Sequence, residues 1–236
     1  MLLRTANFLT SKTPEIQLNA MITLQRRQLG AKTMDKLDDF LESEREDVRR
    51  WTAQALRTQK VPVKTMLKLS KMIAEGSALE IHHAGETLNR MARPLPKEVV
   101  RSLKDAIVSE NGQSRYQGTR ALIYCDIPGN IQKILAEIAL NEDYSLTRAN
   151  AVNALLEDGL KWGVEGVFAK ALSSKTPANP EVLKPSKREL AKEFLIALLG
   201  EEKFNKKYGK TLERLEPLAG PEDVNQQTNK PPKKKN

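Results

Sequence analysis

One short pattern returns along this chain at a spacing that few folds can accommodate. It opens on a basic or polar residue, runs through small residues, and closes on Ala-Leu or its equivalent. The clear copies span 48–56, 80–88, 114–122 and 147–155, with a weaker first copy at 16–24 and a looser last one at 190–198. The closing residues Leu24, Leu56, Leu88, Leu122, Leu155 and Leu198 are separated by 32, 32, 34, 33 and 43 residues. Near-constant periods of this length mark an array of stacked supersecondary units. The last interval is longer because a stretch from Ser173 to Ser186, with Pro177, Pro180 and Pro185, is inserted there.

Each period carries a second apolar stripe upstream of the pattern. Leu37, Phe40 and Leu41 fall on one helical face between Met34 and Ser43, and Met66, Leu67, Leu69, Met72 and Ile73 do so between Val63 and Glu75. Val99, Val100, Leu103 and Ile107 repeat the arrangement between Pro96 and Ser109, as do Ile131, Ile134, Leu135 and Ile138 between Asn130 and Leu140. Pro62, Pro96 and Pro128 stand near the starts of these segments, where a missing backbone N–H costs nothing. No segment alternates with the period of a strand. Two helices per unit, each apolar on one side, cannot bury themselves alone and must stack. The expected fold is an all-α solenoid of about six helical hairpins over residues 1–219, on the order of 50–60 Å long. The remainder, 220–236, has no hydrophobic face and reads as a disordered basic tail.

Composition fits close packing through small residues. Aromatic residues make up 5% of the chain and the hydrophobic fraction is 39%, so Ala53, Ala84, Ala121 and Ala151 are expected at tight helix contacts. Cys125 is the only cysteine, which excludes an internal disulfide and a thiolate zinc site. No apolar run reaches the ~18–20 residues that span a bilayer, and the opening apolar stretch is too short for an export signal, so a cytoplasmic location is expected. The formal net charge is +9, but Lys230, Lys233, Lys234 and Lys235 contribute four of those charges in the tail. These four lysines are candidate anion contacts, and the body carries only a mild basic excess.

The run Asp47-Val48-Arg49 through Ala53-Gln54-Ala55-Leu56 resembles HEAT repeats, and more narrowly the bacterial HEAT-like repeats also found in phycobilisome lyases. Arg49, Arg115 and Arg148 share one place, seven residues before the closing leucine, while Ile81 and Gln17 replace the arginine in two other copies. The resemblance covers roughly residues 1–200. It implies a right-handed superhelix whose second helices line the concave side. It also implies an arginine bonded to an acidic or carbonyl partner near the turn between helices. Proteins of this kind are mostly scaffolds, with a minority acting as lyase subunits or DNA glycosylases, so architecture alone assigns no activity.

The repeat selects the candidate site. Positions six, five and two residues before each closing leucine should face outward, because the positions between them hold the small core residues. They are Arg50, Trp51 and Gln54; His82, His83 and Glu86; Tyr116, Gln117 and Arg120; and Ala149, Asn150 and Asn153. Stacked repeats would join them into one ribbon of aromatic, cationic and amide groups, the kind that anchors interfaces. The competing reading is a solvated helix face on which Trp51 and Tyr116 cover their neighbours. His82 and Glu86, four residues apart, could touch one ion, but two ligands make a weak site and no H-E-x-x-H spacing exists. Trp162 and Cys125 read as core residues. No nucleophile elbow, phosphate-cradling loop or supported carboxylate pair is present, so neither a catalytic residue nor a cofactor is expected. The leading reading is a non-catalytic scaffold or adaptor that binds another protein. A nucleic-acid-binding protein with glycosylase-like character is the second, and a lyase-type chromophore attachment factor the third.

Overall fold

The computed structural model describes residues 8–9, 11, 13–24, 28–159, 163–174 and 184–215. Twelve α-helices follow one another among them, with no strand element. They are α1 (Pro14–Leu24), α2 (Ala31–Phe40), α3 (Glu46–Ala55), α4 (Val63–Glu75), α5 (Ala78–Asn89), α6 (Lys97–Ile107), α7 (Gly112–Ala121), α8 (Gly129–Asn141), α9 (Ser145–Asp158), α10 (Val164–Ala171), α11 (Lys187–Leu199) and α12 (Glu201–Leu215). The tail 220–236 with its four lysines, positions 175–183 of the insertion, and Trp162 lie outside the described residues.

The helices form two layers. The second helices α1, α3, α5, α7, α9 and α11 pack on one another in chain order. The first helices α4, α6, α8 and α10 do the same, and each packs on the second helix of its own hairpin. This is a helical-repeat solenoid. At the near end α2 is tied to α4 by a buried polar knot: Asp38 accepts from the Thr65 hydroxyl at 2.6 Å and from Lys68 Nζ at 3.0 Å. Burial alone would raise the Asp38 carboxyl, but the Thr65 and Lys68 bonds outweigh it and hold the group below its ordinary range.

Helix starts follow from local chemistry. Pro62, Pro96 and Pro128 are the N-caps of α4, α6 and α8, where their fixed φ leads the chain into the first turn. Asn111 caps α7 by accepting from Gln113 N and Ser114 N, while Ser77 with Glu80 and Ser186 with Glu189 form capping boxes on α5 and α11. Gly200, at φ 79°, ends α11 in a backbone conformation that L side chains resist and lets α12 begin at once.

The core runs between the layers. Leu24, Leu56, Leu88, Leu122 and Leu155 are all buried, each adding about 1.5–3 kcal/mol of hydrophobic stabilisation. Ala53, Ala84, Ala121 and Ala151 are fully buried. The last copy differs in register: α11 buries Ala191, Phe194 and Leu195, whereas Leu198 is only half-buried. Phe194 stacks on Phe168 of α10, with centroids 3.8 Å apart, and this ring pair fixes which face of α11 turns inward. The helix α12 has no counterpart in the repeat pattern. It docks through buried Phe204 and through Tyr208, whose hydroxyl donates to Glu165 on α10 at 2.6 Å.

The recurring arginine closes the turn inside its own hairpin. Arg49 Nη1 donates to the carbonyls of Ser43 and Glu44, Arg115 Nη1 to those of Ser109 and Glu110, and Arg148 Nη1 to those of Glu142 and Asp143, all at 2.6–3.0 Å. These carbonyls follow the end of the first helix and have no helical partner. Arg49 also meets Glu80 at 2.5 Å, and Arg115 forks onto both carboxylate oxygens of Glu142 at 2.5 and 3.1 Å, linking each hairpin to the next. Where Ile81 replaces the arginine, the turn is shorter and the Ser77–Glu80 capping box closes it instead.

Candidate partner-binding face

Stacking of α3, α5 and α7 brings side chains from three repeats onto one face. Trp51 and His83 lie nearly parallel, with ring centroids 6.3 Å apart and an interplanar angle of 23°. The Arg50 guanidinium sits 5.7 Å from the Trp51 ring centroid, within cation–π range. His82 meets His83 edge-on at 5.2 Å. The result is a continuous run, Arg50–Trp51–His83–His82, across two repeats. His82 is exposed, and Arg50, Trp51 and His83 are half-buried. Burial, then the charges of His82, Arg50 and Arg57, push the His83 imidazole below its usual pKa, with Glu86 opposing.

Beside this run lies a three-helix ion network. Glu86 on α5 accepts from Arg57 Nη2 at 2.7 Å, just past the end of α3, and from Arg120 Nη1 on α7. One carboxylate is thus shared by guanidiniums from the two flanking repeats. Burial would raise the Glu86 carboxyl, but Arg120 and then Arg57 outweigh it and hold it ionised to lower pH. Glu86 is the covered member at 17% side-chain exposure, while Arg57 and Arg120 keep 30% and 37%.

Tyr116 continues the face onto α7, where it meets Tyr144 edge-on at 5.9 Å. On α9, Ala149 and Asn153 are exposed and Asn150 is half-buried. Gln54 Oε1, Trp51 Nε1 and Asn150 Nδ2 are covered and make no hydrogen bond within the protein.

Gln117 departs from the expected ribbon. It is 1% exposed, and its side chain occupies the space left by the missing Cβ of Gly85, where it accepts from Asn89 Nδ2 at 3.3 Å. A glycine in the neighbouring repeat turned an outward position into an internal one. Glu86, expected as a free outward group or as a ligand partner for His82, is held by its two arginines. Among the described residues no three His, Cys, Asp or Glu side chains gather as metal ligands, and no helix is long and apolar enough to cross a membrane.

Two residues of this face escaped the repeat rule. Arg57 lies three residues beyond Gln54, one helical turn along the same face, and that spacing was the available signal. Tyr144 precedes its helix and is 51% exposed, so no helical register reports it. A groove of about 500 Å³ lies on the turn edge of the solenoid, lined by Arg49, Lys68 and Glu80 among others. Its cations already pair internally, Arg49 with Glu80, Lys68 with Asp38 and Glu42, and Lys71 with Glu75.

No family model and no curated protein matches the sequence. Solved structures do match in shape. A designed armadillo repeat protein aligns at 15% identity and a TM-score of 0.54, covering 84% of this chain and all of that one. A second armadillo protein, computationally designed for modular peptide recognition, aligns at 14% identity and 0.55 with the same coverage of this chain. The fold is that of a HEAT- or armadillo-type solenoid. The N-terminal domain of Mot1, solved in complex with TBP, aligns on 83% of this solenoid at 16% identity and 0.56, and the match takes in 30% of the Mot1 chain. At these identities the likeness extends to the path of the stacked helices and not to any side chain of the face.

Proposed function

We propose that this solenoid is a non-catalytic scaffold that binds a protein partner across the exposed face of α3, α5, α7 and α9. The observation that carries the reading is the Arg50–Trp51–His83–His82 run. Arg50 and Trp51, two of the types that dominate interface energetics, lie side by side with His83 and His82 on a partly exposed surface. Gln54, Asn150 and Asn153 lie along the same face, and swinging the Gln54 and Asn150 amides onto a bound main chain would give their covered Oε1 and Nδ2 atoms partners. Two neighbours in shape favour the same class, since one was designed for modular peptide recognition and the Mot1 domain was solved in complex with TBP.

The test is site-specific photocrosslinking in the native host. A crosslinker at position 54 or 153 is expected to trap the same partner, whereas one at exposed Lys104 on α6, in the other layer, traps none of it. Trapping through position 104 with silence at 54 and 153 would move the binding surface to the opposite layer. The nucleic-acid reading has less support, because four of the nine net positive charges lie on the tail lysines and the rest of the chain carries only a mild basic excess.

A further inference from the structure

The ion network on the face also indicates what the partner carries. Resting on the binding role argued above, we infer that the face recognises an extended acidic segment of another protein, with Asp or Glu side chains seated beside Arg50, Arg57 and Arg120. The structure already contains a carboxylate bound in this manner: Glu86, held between guanidiniums from two repeats. That contact uses one N–H group from each arginine, and a guanidinium has five donors. Arg57 and Arg120 therefore keep unused donors, and about a third of each side chain remains exposed. Two cations face one anion there. Arg50 adds a third cation, which lies over the Trp51 ring and within electrostatic range of Asp47, a carboxylate that Arg45 already pairs.

Neighbouring elements leave this surplus unopposed. Toward α9 the face continues as the uncharged Ala149, Asn150 and Asn153. Toward α1, the same register places Leu18, Asn19 and Ile22, with Ile22 41% exposed. The pattern along the face is therefore apolar, then cationic and aromatic, then amide. Helices packed about 10 Å apart put α3 and α7 some 20 Å from each other, the reach of about six extended residues. A short acidic stretch with an apolar residue toward the α1 end matches this pattern in charge and in length.

Within this arrangement Glu86 is an internal competitor. It neutralises part of the arginine charge while the face is empty and weakens the attraction for an incoming carboxylate. Removing its charge should tighten binding of an acidic segment, whereas a merely structural role for Glu86 would predict unchanged or weaker binding.

The experiment selects random twelve-residue peptides by display on the whole protein, then measures the affinity of the selected peptides by fluorescence anisotropy. Selected sequences should be enriched in Asp and Glu. Glu86→Gln should tighten their binding about three- to tenfold, and Arg50→Glu should weaken it at least tenfold, with thermal midpoints recorded for both variants. Peptides that are lost with Trp51→Ala but show no acidic excess, or that bind no tighter to the Glu86→Gln protein, would overturn the charge assignment and leave the face as a binding surface. Failure to select any peptide, or selection of peptides indifferent to Trp51→Ala, would overturn the face itself. A single-stranded twelve-nucleotide DNA that outcompetes every peptide and is lost with Trp51→Ala would assign the face to nucleic acid.

Discussion

Arg115 offers a quantitative test of how the hairpins are tied together. It donates to two turn carbonyls, Ser109 O and Glu110 O, each at 2.9 Å, and forks onto Glu142, whose side chain is 9% exposed. Arg115→Ala leaves both carbonyls dependent on water and strands a nearly buried carboxylate. Breaking a buried pair from one side costs about 3–5 kcal/mol. Arg115 is 25% exposed, so solvent screens part of that loss, and the expected cost is about 2–4 kcal/mol. Arg148 provides the control, since its described bonds go only to carbonyls, Glu142 O and Asp143 O. Arg148→Ala should therefore cost about 1–2 kcal/mol, in line with two net hydrogen bonds. Adding Glu142→Gln to Arg115→Ala should recover part of the loss, because it removes the stranded charge. Urea titrations followed by far-UV circular dichroism give the global cost. Amide exchange on α7 and α8 shows whether the array opens locally, as stacked repeats can. An Arg148→Ala variant as damaged as Arg115→Ala, or an Arg115→Ala loss below ~1 kcal/mol, would refute the argument that the fork onto Glu142 is the larger contribution.

Three further outcomes are expected. Ala84→Leu and Ala121→Leu, at fully buried helix contacts, should each cost about 1–3 kcal/mol by overpacking, and unchanged urea midpoints would mean the helix faces are rotated from those described. Gly85→Ala would drive a methyl group into the Gln117 side chain and should lower stability by a similar ~1–3 kcal/mol, with Gln117→Ala in the same chain restoring part of it. Acid should weaken the fold in two windows. Asp38, Glu80, Glu86 and Glu142 all titrate below their ordinary values, because hydrogen bonds and cationic partners outweigh burial, so their contribution is complete above about pH 4.5 and is lost as pH falls further. His83 is depressed mainly by burial, so the unfolded chain takes that proton first and stability begins to fall below about pH 6.5; urea midpoints at pH 7.5, 5.5 and 4 check both windows, and His83→Phe should shrink the first step.

The sequence revealed most where the period was strict. The buried faces of α3, α5, α7 and α9 could be read because small residues and a closing leucine recur at a fixed distance, and side chains at one register share one environment in a stacked array. The same reasoning failed where a contact depends on a neighbouring repeat. Gln117 holds an outward register position, but Gly85 one repeat earlier leaves room for it to turn inward. Register slipped at α11, where the insertion breaks the period and the Phe168–Phe194 ring pair selects Leu195 over Leu198. The helix α12 went unread because it belongs to no repeat and packs through Phe204, Tyr208 and Leu212 at a register of its own. For the site, Arg50, Trp51, His82 and His83 could be placed by position, but their joining into one stacked run depends on side-chain geometry that no spacing encodes.

The measurement that bears most directly on the central claim is the affinity of a photocrosslinked partner for the native chain and for a Trp51→Ala, Tyr116→Ala double variant, by isothermal titration. Both side chains are half-buried and lie on the proposed face, with Trp51 also packed on the core, so the double variant should remain folded, as a cooperative urea transition checks. Its partner binding should weaken by at least ~2 kcal/mol, about thirtyfold. A folded double variant that binds with full affinity would contradict the claim that this face is where the solenoid meets its partner.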